Sequence, residues 1–533
     1  MMTFSFRHIA LMAAAGALLT ACSDWADHYD GKADTTSSES LWASLQANPQ
    51  LSDFCEVLQQ SRIFRHHRRT SVSYAQLLDG GQSFTVFAPV NGTFNKDSLL
   101  SLVQTDRGDS TVEKFFIRNH IAASPNSAVG TGSEVRLLNG KHVSLSAGDV
   151  EGTPIATGNV HAKNGTLHVL GARMPYQYNL YEAMTDRPDY QPVGDFLRVY
   201  NEDYFDEDAS ISSGLVDGVP VYVDSVIHER NTMLQQIGLL AAEDSSYWMV
   251  APAQTGWNKA YAMARQYFVY DKTVDKRDSV QHYWTNRSLL EDAIFNMNIQ
   301  PSWRDSLKSV QYNALTPEYH VFYRPMDGGI LSGATPVACS NGTLYQTSDW
   351  PFTPEQTFFK VLRTEGERTG YITSYTSCTY NTRSVSADSV SKNAYLDILP
   401  QTATSNWTVT FRVDNTLSGT YDICAIILPQ TVYNPNQTNL RPCKFRANIN
   451  YVDTAGVSQT YNCGNVQFTT DPARVDTVVL TKGFTFPACN FDQDNLKVSV
   501  QLRCSILARE TSRYSREMYL DCIYLCPSTS KED

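Results

Sequence analysis

The most regular alternation of apolar and polar residues lies in the last third of the chain. Trp407, Val409, Phe411 and Val413 alternate with Thr408, Thr410, Arg412 and Asp414. Phe445, Ala447, Ile449 and Tyr451 alternate with Lys444, Arg446, Asn448 and Asn450. Leu496, Val498, Val500, Leu502 and Cys504 alternate with Lys497, Ser499, Gln501 and Arg503. A period of two sends successive side chains to opposite faces of a strand, so each strand has one dry and one wet face. That is the pattern of antiparallel sheets packed face to face. Residues 421–429, YDICAIILP, are apolar on both faces and predict a central strand. No helical period of useful length interrupts residues 371–527. The region 371–533 therefore predicts an all-β sandwich of jelly-roll type.

Upstream the period changes. Leu51, Phe54, Cys55 and Leu58 fall at i, i+3, i+4 and i+7, one face of a helix. Ser110-Thr111-Val112-Glu113 spells a capping box and predicts the start of a helix with Val112, Phe115, Phe116 and Asn119/His120 on its packed face. Between these helices, Phe84, Val86 and Ala88 alternate with Thr85, Phe87 and Pro89. Proline stops that strand, because it cannot donate to a ladder. Asn91-Gly92 makes the turn, and Asn91 or Thr93 can cap the next element. Asn139-Gly140 and Asn164-Gly165 each sit between strand-like runs and predict tight hairpins, since both residue types tolerate positive φ.

A second stretch repeats this plan. YWMVAPAQTGW, residues 247–257, repeats strand, Ala-Pro and turn, with Ala251-Pro252 matching Ala88-Pro89 and Gln254 in place of the asparagine. A helix is expected over 288–297, and CSNGTLYQ, residues 339–346, repeats the Asn-Gly-Thr hairpin. Residues 216–227, VDGVPVYVDSVI, predict an added hairpin, and residues around 184–193 a linker.

Three segments in order carry a family resemblance: FTVFAPVNGTF from Phe84, FFIRNHI from Phe115, and HAKNGTLHVL from His161. They resemble the signature boxes of fasciclin-type domains, which are extracellular adhesion modules. His120 is kept and Asn119 stands where that family has tyrosine. The resemblance covers residues 39–172 with three boxes and a divergent second copy, 190–370, with two. It implies an α+β multidomain chain with two fasciclin-type α/β domains followed by the sandwich. It also implies adhesion or binding rather than catalysis, with His120 a buried hydrogen-bonding core residue.

The first 21 residues stand outside any fold. Arg7 precedes an apolar run, residues 9–19, too short to span a bilayer. Leu19-Thr20-Ala21-Cys22 is a lipobox, in which the Cys22 thiol takes diacylglycerol; an ordinary secretory leader with a chance cysteine is the other reading. Residues 22–38 then form a polar tether. Its acidic residues Asp24, Asp27 and Asp30 resemble the surface-export signal of Bacteroidota lipoproteins. The expected location is the outer membrane, lipid-anchored and facing the cell exterior.

Composition narrows the chemistry. With 42% hydrophobic and 18% charged residues, the chain is ordinary globular protein. Its formal charge of −12 argues against nucleic acid and anionic lipid as partners. Eight of the 11 cysteines fall in the sandwich region, an even number that permits disulfides; buried small hydrophobes are the alternative. Zinc-ligand spacings, the nucleophile elbow, the phosphate loop and His-Glu-x-x-His are not found in the sequence. Asp206, Glu207 and Asp208 read as a solvated acidic loop, and the run from Arg65 to Arg69 as a solvated turn. No cofactor and no metal site are expected. The candidate ligand residues are Tyr433, Asn434, Asn436 and Arg441, in a proline-stiffened loop rich in amides. Sugars, with apolar C–H faces and many hydroxyls, suit such an aromatic-and-amide surface. The expected function is non-catalytic adhesion or glycan binding at the cell surface, as an accessory of an outer-membrane glycan-uptake system, with a glycan or surface protein as partner. A glycan hydrolase remains the alternative, because it needs only two carboxylates placed by the fold. A structural spacer is the third reading.

Overall fold

The computed structural model describes residues 38–528 except 66, 124–132, 147, 217–218, 297–305, 327, 388 and 494–496, and the side chains of 207–226 and 228 are also outside the description. The leader, Cys22 and nearly all of the tether lie outside the described residues, as does Leu496.

The strand Phe84–Pro89 is buried along its whole length. It pairs in parallel with Gly165–Leu170 and antiparallel with Ile121–Ala122, inside a seven-stranded sheet. Phe84, Val86 and Ala88 pack under helices that include Leu41–Gln46, Ser52–Gln60 and Tyr74–Asp79. Phe87 faces the other way, into a small core with Val135, Leu145 and Val150.

Two local expectations differ from the structure. The helix before FFIRNHI begins at Asp106 and is capped by Thr105, whose hydroxyl accepts from the Gly108 N–H. Ser110 is mid-helix, and Glu113 instead accepts from the Tyr74 hydroxyl at 2.7 Å and the Phe64 N–H at 3.2 Å. Asn91 does not cap the next helix. Its side chain accepts from the Asp53 N–H at 3.0 Å, at the start of a helix distant in sequence, while Asn95 caps Lys96–Leu102. In both cases tertiary partners win over the local motif.

The second module repeats the first. Its sheet runs Ile294–Asn296, Tyr247–Pro252, Gly342–Thr347, Thr335–Cys339, which is the order of the corresponding strands in module one. Tyr247 pairs in parallel with Gly342 as Phe84 pairs with Gly165. Both glycines take positive φ, 143° and 149°, and a Cβ there would lie 1.8 or 1.9 Å from the Phe84 or Tyr247 carbonyl oxygen. The neighbouring asparagines do more than turn the chain. Asn164 accepts from the Leu41 N–H at 2.7 Å and donates to the carbonyls of Leu78 and Gly80, both at 2.9 Å. Asn341 accepts from the Leu180 N–H at 2.9 Å and donates to Leu240 at 2.8 Å and Ala242 at 3.0 Å. Each ties the first helix of its module to the loop before the central strand.

Three expectations for this module differ from the structure. The stretch around 184–193 is helical rather than a linker, with Leu180–Asp186 capped by Asn179 and Gln191–Arg198 burying Val193, Phe196 and Leu197. The expected helix over 288–297 is Arg277–Leu290, followed by a strand, because Ile294 and Phe295 are buried in the sheet. Asp206 to Asp208 lie in a strand, not a loop: Asn201–Val216 pairs with Val219–Asn231 in a long two-stranded ribbon.

The sandwich has two antiparallel sheets. The back sheet runs Cys378–Ser384, Ala394–Pro400, Met518–Pro527, Thr420–Leu428, Asp476–Thr485, and Leu362–Glu365 joins it, so the sandwich begins before residue 371. The front sheet runs Ile372–Thr376, Thr408–Arg412, Ser499–Cys504, Lys444–Val452, Ser458–Asn462. Its core is continuous with that of the second module: Trp284 meets Phe491 at 4.6 Å between ring centroids, and Tyr267, Phe359 and Tyr421 form a chain of rings. The first module keeps separate cores. It is joined to the second through the buried Lys141 ammonium, 2.9 Å from both Glu182 and Glu243. Among the described residues no helix is long and apolar enough to cross a membrane.

Candidate functional site

The wet faces of the three alternating strands come together on the outer surface of the front sheet. Val409, Phe411, Ala447, Ile449, Val500 and Leu502 point into the core, so their neighbours point outward. The register aligns Ser374, Thr410, Gln501, Asn448 and Asn462 in one row across five strands. A second row is Arg412, Ser499, Asn450 and Thr460, and a third is Thr376, Thr408, Arg503 and Arg446. No residue in these rows is acidic or apolar, in a chain with more Asp and Glu than Lys and Arg.

Side-chain hydrogen bonds run across the strands. Gln501 donates to Thr410 at 3.3 Å and accepts from Asn448 at 3.2 Å. Asn450 donates to Ser499 at 3.0 Å and accepts from the Thr460 hydroxyl at 2.9 Å. An amide has two N–H donors and two carbonyl lone pairs, so each ladder amide retains capacity for a ligand. The bonds fix the amide planes before any ligand arrives, which lowers the entropy lost on binding. The arrangement offers aligned donors and acceptors to a polyhydroxylated surface.

The predicted loop lies on the other side of the sandwich. Tyr433 is 58% exposed, and the Arg383 guanidinium sits 4.2 Å from its ring centroid. Arg383 donates at 2.6 Å to Asp397, whose carboxyl is fully buried and held above its ordinary pKa by that burial. Asn434 accepts from the Asn436 N–H at 3.2 Å, and Arg441 donates to the Thr511 carbonyl at 2.9 Å. Asn434 and Arg441 thus shape the loop, and Tyr433, Asn434 and Asn436 are all exposed. The structure brings these four together but not with the polar face.

Other candidates resolve into structural roles. His120 is fully buried, its Nδ1 2.7 Å from the Phe116 carbonyl oxygen and its Nε2 accepting from the Met174 N–H at 3.2 Å. Burial pushes its pKa down to about 4, which keeps the ring neutral. Arg69 of the basic run pairs with the buried Asp109 at 2.8 Å, and His67 lies 3.1 Å from Glu229 of the ribbon. In the second module, His320 bridges the buried Asp292 and the Thr316 hydroxyl, each at 2.8 Å. Asn313 donates to the same Asp292 at 2.8 Å and accepts from the Leu315 and Thr316 N–H groups, so the set locks a loop. Among the described residues, no three His, Cys, Asp or Glu side chains gather as a metal centre would. The described cysteines are free thiols.

Residues 50–173 match the family model described as Fasciclin domain. No curated protein sequence matches the chain. Among solved structures it is similar to a FAS1 domain pair from the insect cell adhesion molecule Fasciclin I, at 11% identity, covering 52% of this chain and 90% of that one with a TM-score of 0.19. It is similar to the C-terminal family 22 carbohydrate-binding module of Clostridium thermocellum Xyn10B, at 11% identity over 32% of this chain and 94% of that one, TM-score 0.21. It also resembles the enzymatically active domain of bacteriophage CBA120 tailspike protein 4, at 10% identity and TM-score 0.19, covering 31% of this chain but only 19% of that one. Likeness at these scores says nothing about a ligand. The fold is a fasciclin domain, a topological repeat of it, and a C-terminal β-sandwich.

Proposed function

We propose that the chain is a non-catalytic, lipid-anchored surface protein that binds glycan through the front sheet of its sandwich. One observation carries this reading: thirteen outward positions in three register rows hold only amide, hydroxyl and guanidinium side chains. Sugar hydroxyls are both donors and acceptors and match such a surface, whereas a core-forming or protein-docking face would present apolar or aromatic groups at its centre. The fasciclin domain, a type known for adhesion, supports display outside the cell, and the Cys22 lipobox supports anchoring. The accessory role beside an outer-membrane glycan importer belongs to the same reading.

The test is a glycan array followed by calorimetry with the whole mature protein. The sandwich alone is unsuitable, because its core continues into the second module. Gln501→Ala or Asn450→Ala is expected to weaken binding about tenfold, the value of roughly one lost hydrogen bond. Retention of full affinity by both variants refutes the assignment to this face. If Tyr433→Ala abolishes binding instead, the site is the back-sheet loop.

A further inference from the structure

A cleft where the second module meets the sandwich gathers cations that the fold does not pair. The cleft encloses about 320 Å³ and is lined by Lys360, Arg363, Arg368 and Tyr371, facing Thr316 and Glu318 of the second module. Lys360, Arg363 and Arg368 form no ion pair or side-chain hydrogen bond among the described residues. Of the two carboxylates in the lining, Asp414 lies 3.3 Å from Arg412, and Glu318 is more than half exposed at the rim, 3.4 Å from His320 Nε2. Arg363 and Arg368 also feel the carboxylates of Asp521 and Glu367 through space, which leaves Lys360 least compensated.

Lys360 also lines a second hollow of about 430 Å³, beside Tyr323 and Gln356, and among the described residues no carboxylate lines that hollow. Tyr323 is 76% exposed. The two hollows therefore form a track from an aromatic ring, past an ammonium, to two guanidinium groups. Each volume lies in the range of small-ligand clefts, roughly 300–1,000 Å³, and module junctions are common places for them. The chain as a whole is acidic, so this cationic track is a local feature and not a reflection of net charge.

We propose that the track binds a carboxylated oligosaccharide, a uronic-acid-containing segment. Its carboxylates would meet Lys360, Arg363 and Arg368, since guanidinium and carboxylate match as a two-pronged hydrogen-bonded pair. The apolar C–H face of a sugar ring would cover Tyr323. This rests on the glycan-binding reading but names a different surface and a ligand class that the amides and hydroxyls of the front sheet do not select.

The experiment is affinity electrophoresis and calorimetry of the whole mature protein with polygalacturonate and with its fully methyl-esterified form, which keeps the ring and removes the charge. Polygalacturonate is expected to bind at least about tenfold more tightly than the ester, with affinity falling as salt rises. Lys360→Gln with Arg368→Gln is expected to remove that preference. Both side chains are at the surface without bonds, so an unchanged thermal transition controls for folding. Asn450→Ala is expected to leave polygalacturonate binding intact. Equal binding of acid and ester, or an unaffected double variant, overturns the inference. Neutral glycan bound by the front sheet with no polyuronate bound overturns it while sparing the function proposed above. Failure of every glycan overturns both.

Discussion

Asn164→Ala and Asn341→Ala remove the same device from two places, and the cost can be worked from the bonds. Each side chain accepts one buried N–H and donates to two carbonyls, at 2.7 to 2.9 Å for Asn164 and 2.8 to 3.0 Å for Asn341. Stranding the buried Leu41 or Leu180 N–H costs about 1–3 kcal/mol, and the two carbonyl bonds contribute about 1 kcal/mol each. The expected loss is about 3–5 kcal/mol per module, a large share of a domain's stability of roughly 5–15 kcal/mol. Urea unfolding should show it: with a slope of about 1–3 kcal/mol per molar, the midpoint of the affected transition falls by more than about 1 M. Hydrogen exchange at Leu41 or Leu180, read by mass spectrometry, should rise in the matching variant alone. Asparagine to aspartate keeps the acceptor but turns a second carboxylate oxygen toward the two carbonyls, and is expected to cost at least as much. A loss below about 1 kcal/mol in either module, or unchanged exchange at its leucine, would refute the claim that each asparagine ties the first helix of its module to the loop before the central strand.

The separate cores predict two unfolding transitions rather than three, since the second module and sandwich share one core; three calorimetric peaks would contradict this. The two units should also answer oppositely to acid. His120, with its pKa lowered to about 4, favours the fold while neutral, so the first module should lose about 3 kcal/mol as pH falls from about 6.5 to 4. Asp521, pushed up to about 6 by burial and by Glu365 and Glu367, binds its proton more tightly when folded, so the sandwich should gain on the order of 2 kcal/mol as pH falls from about 6 to 4. Denaturation of His120→Gln and Asp521→Asn across that range should show each slope change by that group's contribution; unchanged slopes would refute the assignments. For anchoring, Cys22→Ala should abolish labelling by an alkyne fatty acid, and equal labelling of both proteins would exclude lipidation at this residue.

The period-two runs revealed which residues of the sandwich are dry, because burial on one face leaves that imprint in the sequence. They did not reveal which wet faces become neighbours. Thr410, Gln501 and Asn448 meet only because the strand Ser499–Cys504 inserts between Thr408–Arg412 and Lys444–Val452, and that order is set by connections over about a hundred residues. The signal was nonetheless present: Thr408, Thr410 and Arg412, Arg446, Asn448 and Asn450, and Ser499, Gln501 and Arg503 carry no carboxylate, and Asp414 falls just past the strand Thr408–Arg412. In an acidic chain such runs are informative, since surface carboxylates ordinarily keep a protein soluble. The Tyr433 loop stands out on composition, which is blind to what its polar groups already bond. Asn164 shows the same limit from the other side. Its dipeptide with Gly165 correctly marked a hairpin, yet the reason for asparagine lies with Leu41, Leu78 and Gly80, none of which is near it in sequence. The recurrence of that bonding at Asn341, with Gly342 also at positive φ, makes the second copy a repeat by its hydrogen bonds where its first box had lost the asparagine. A short motif survives divergence when its side chain closes a tertiary contact, and drifts when it only shapes a turn.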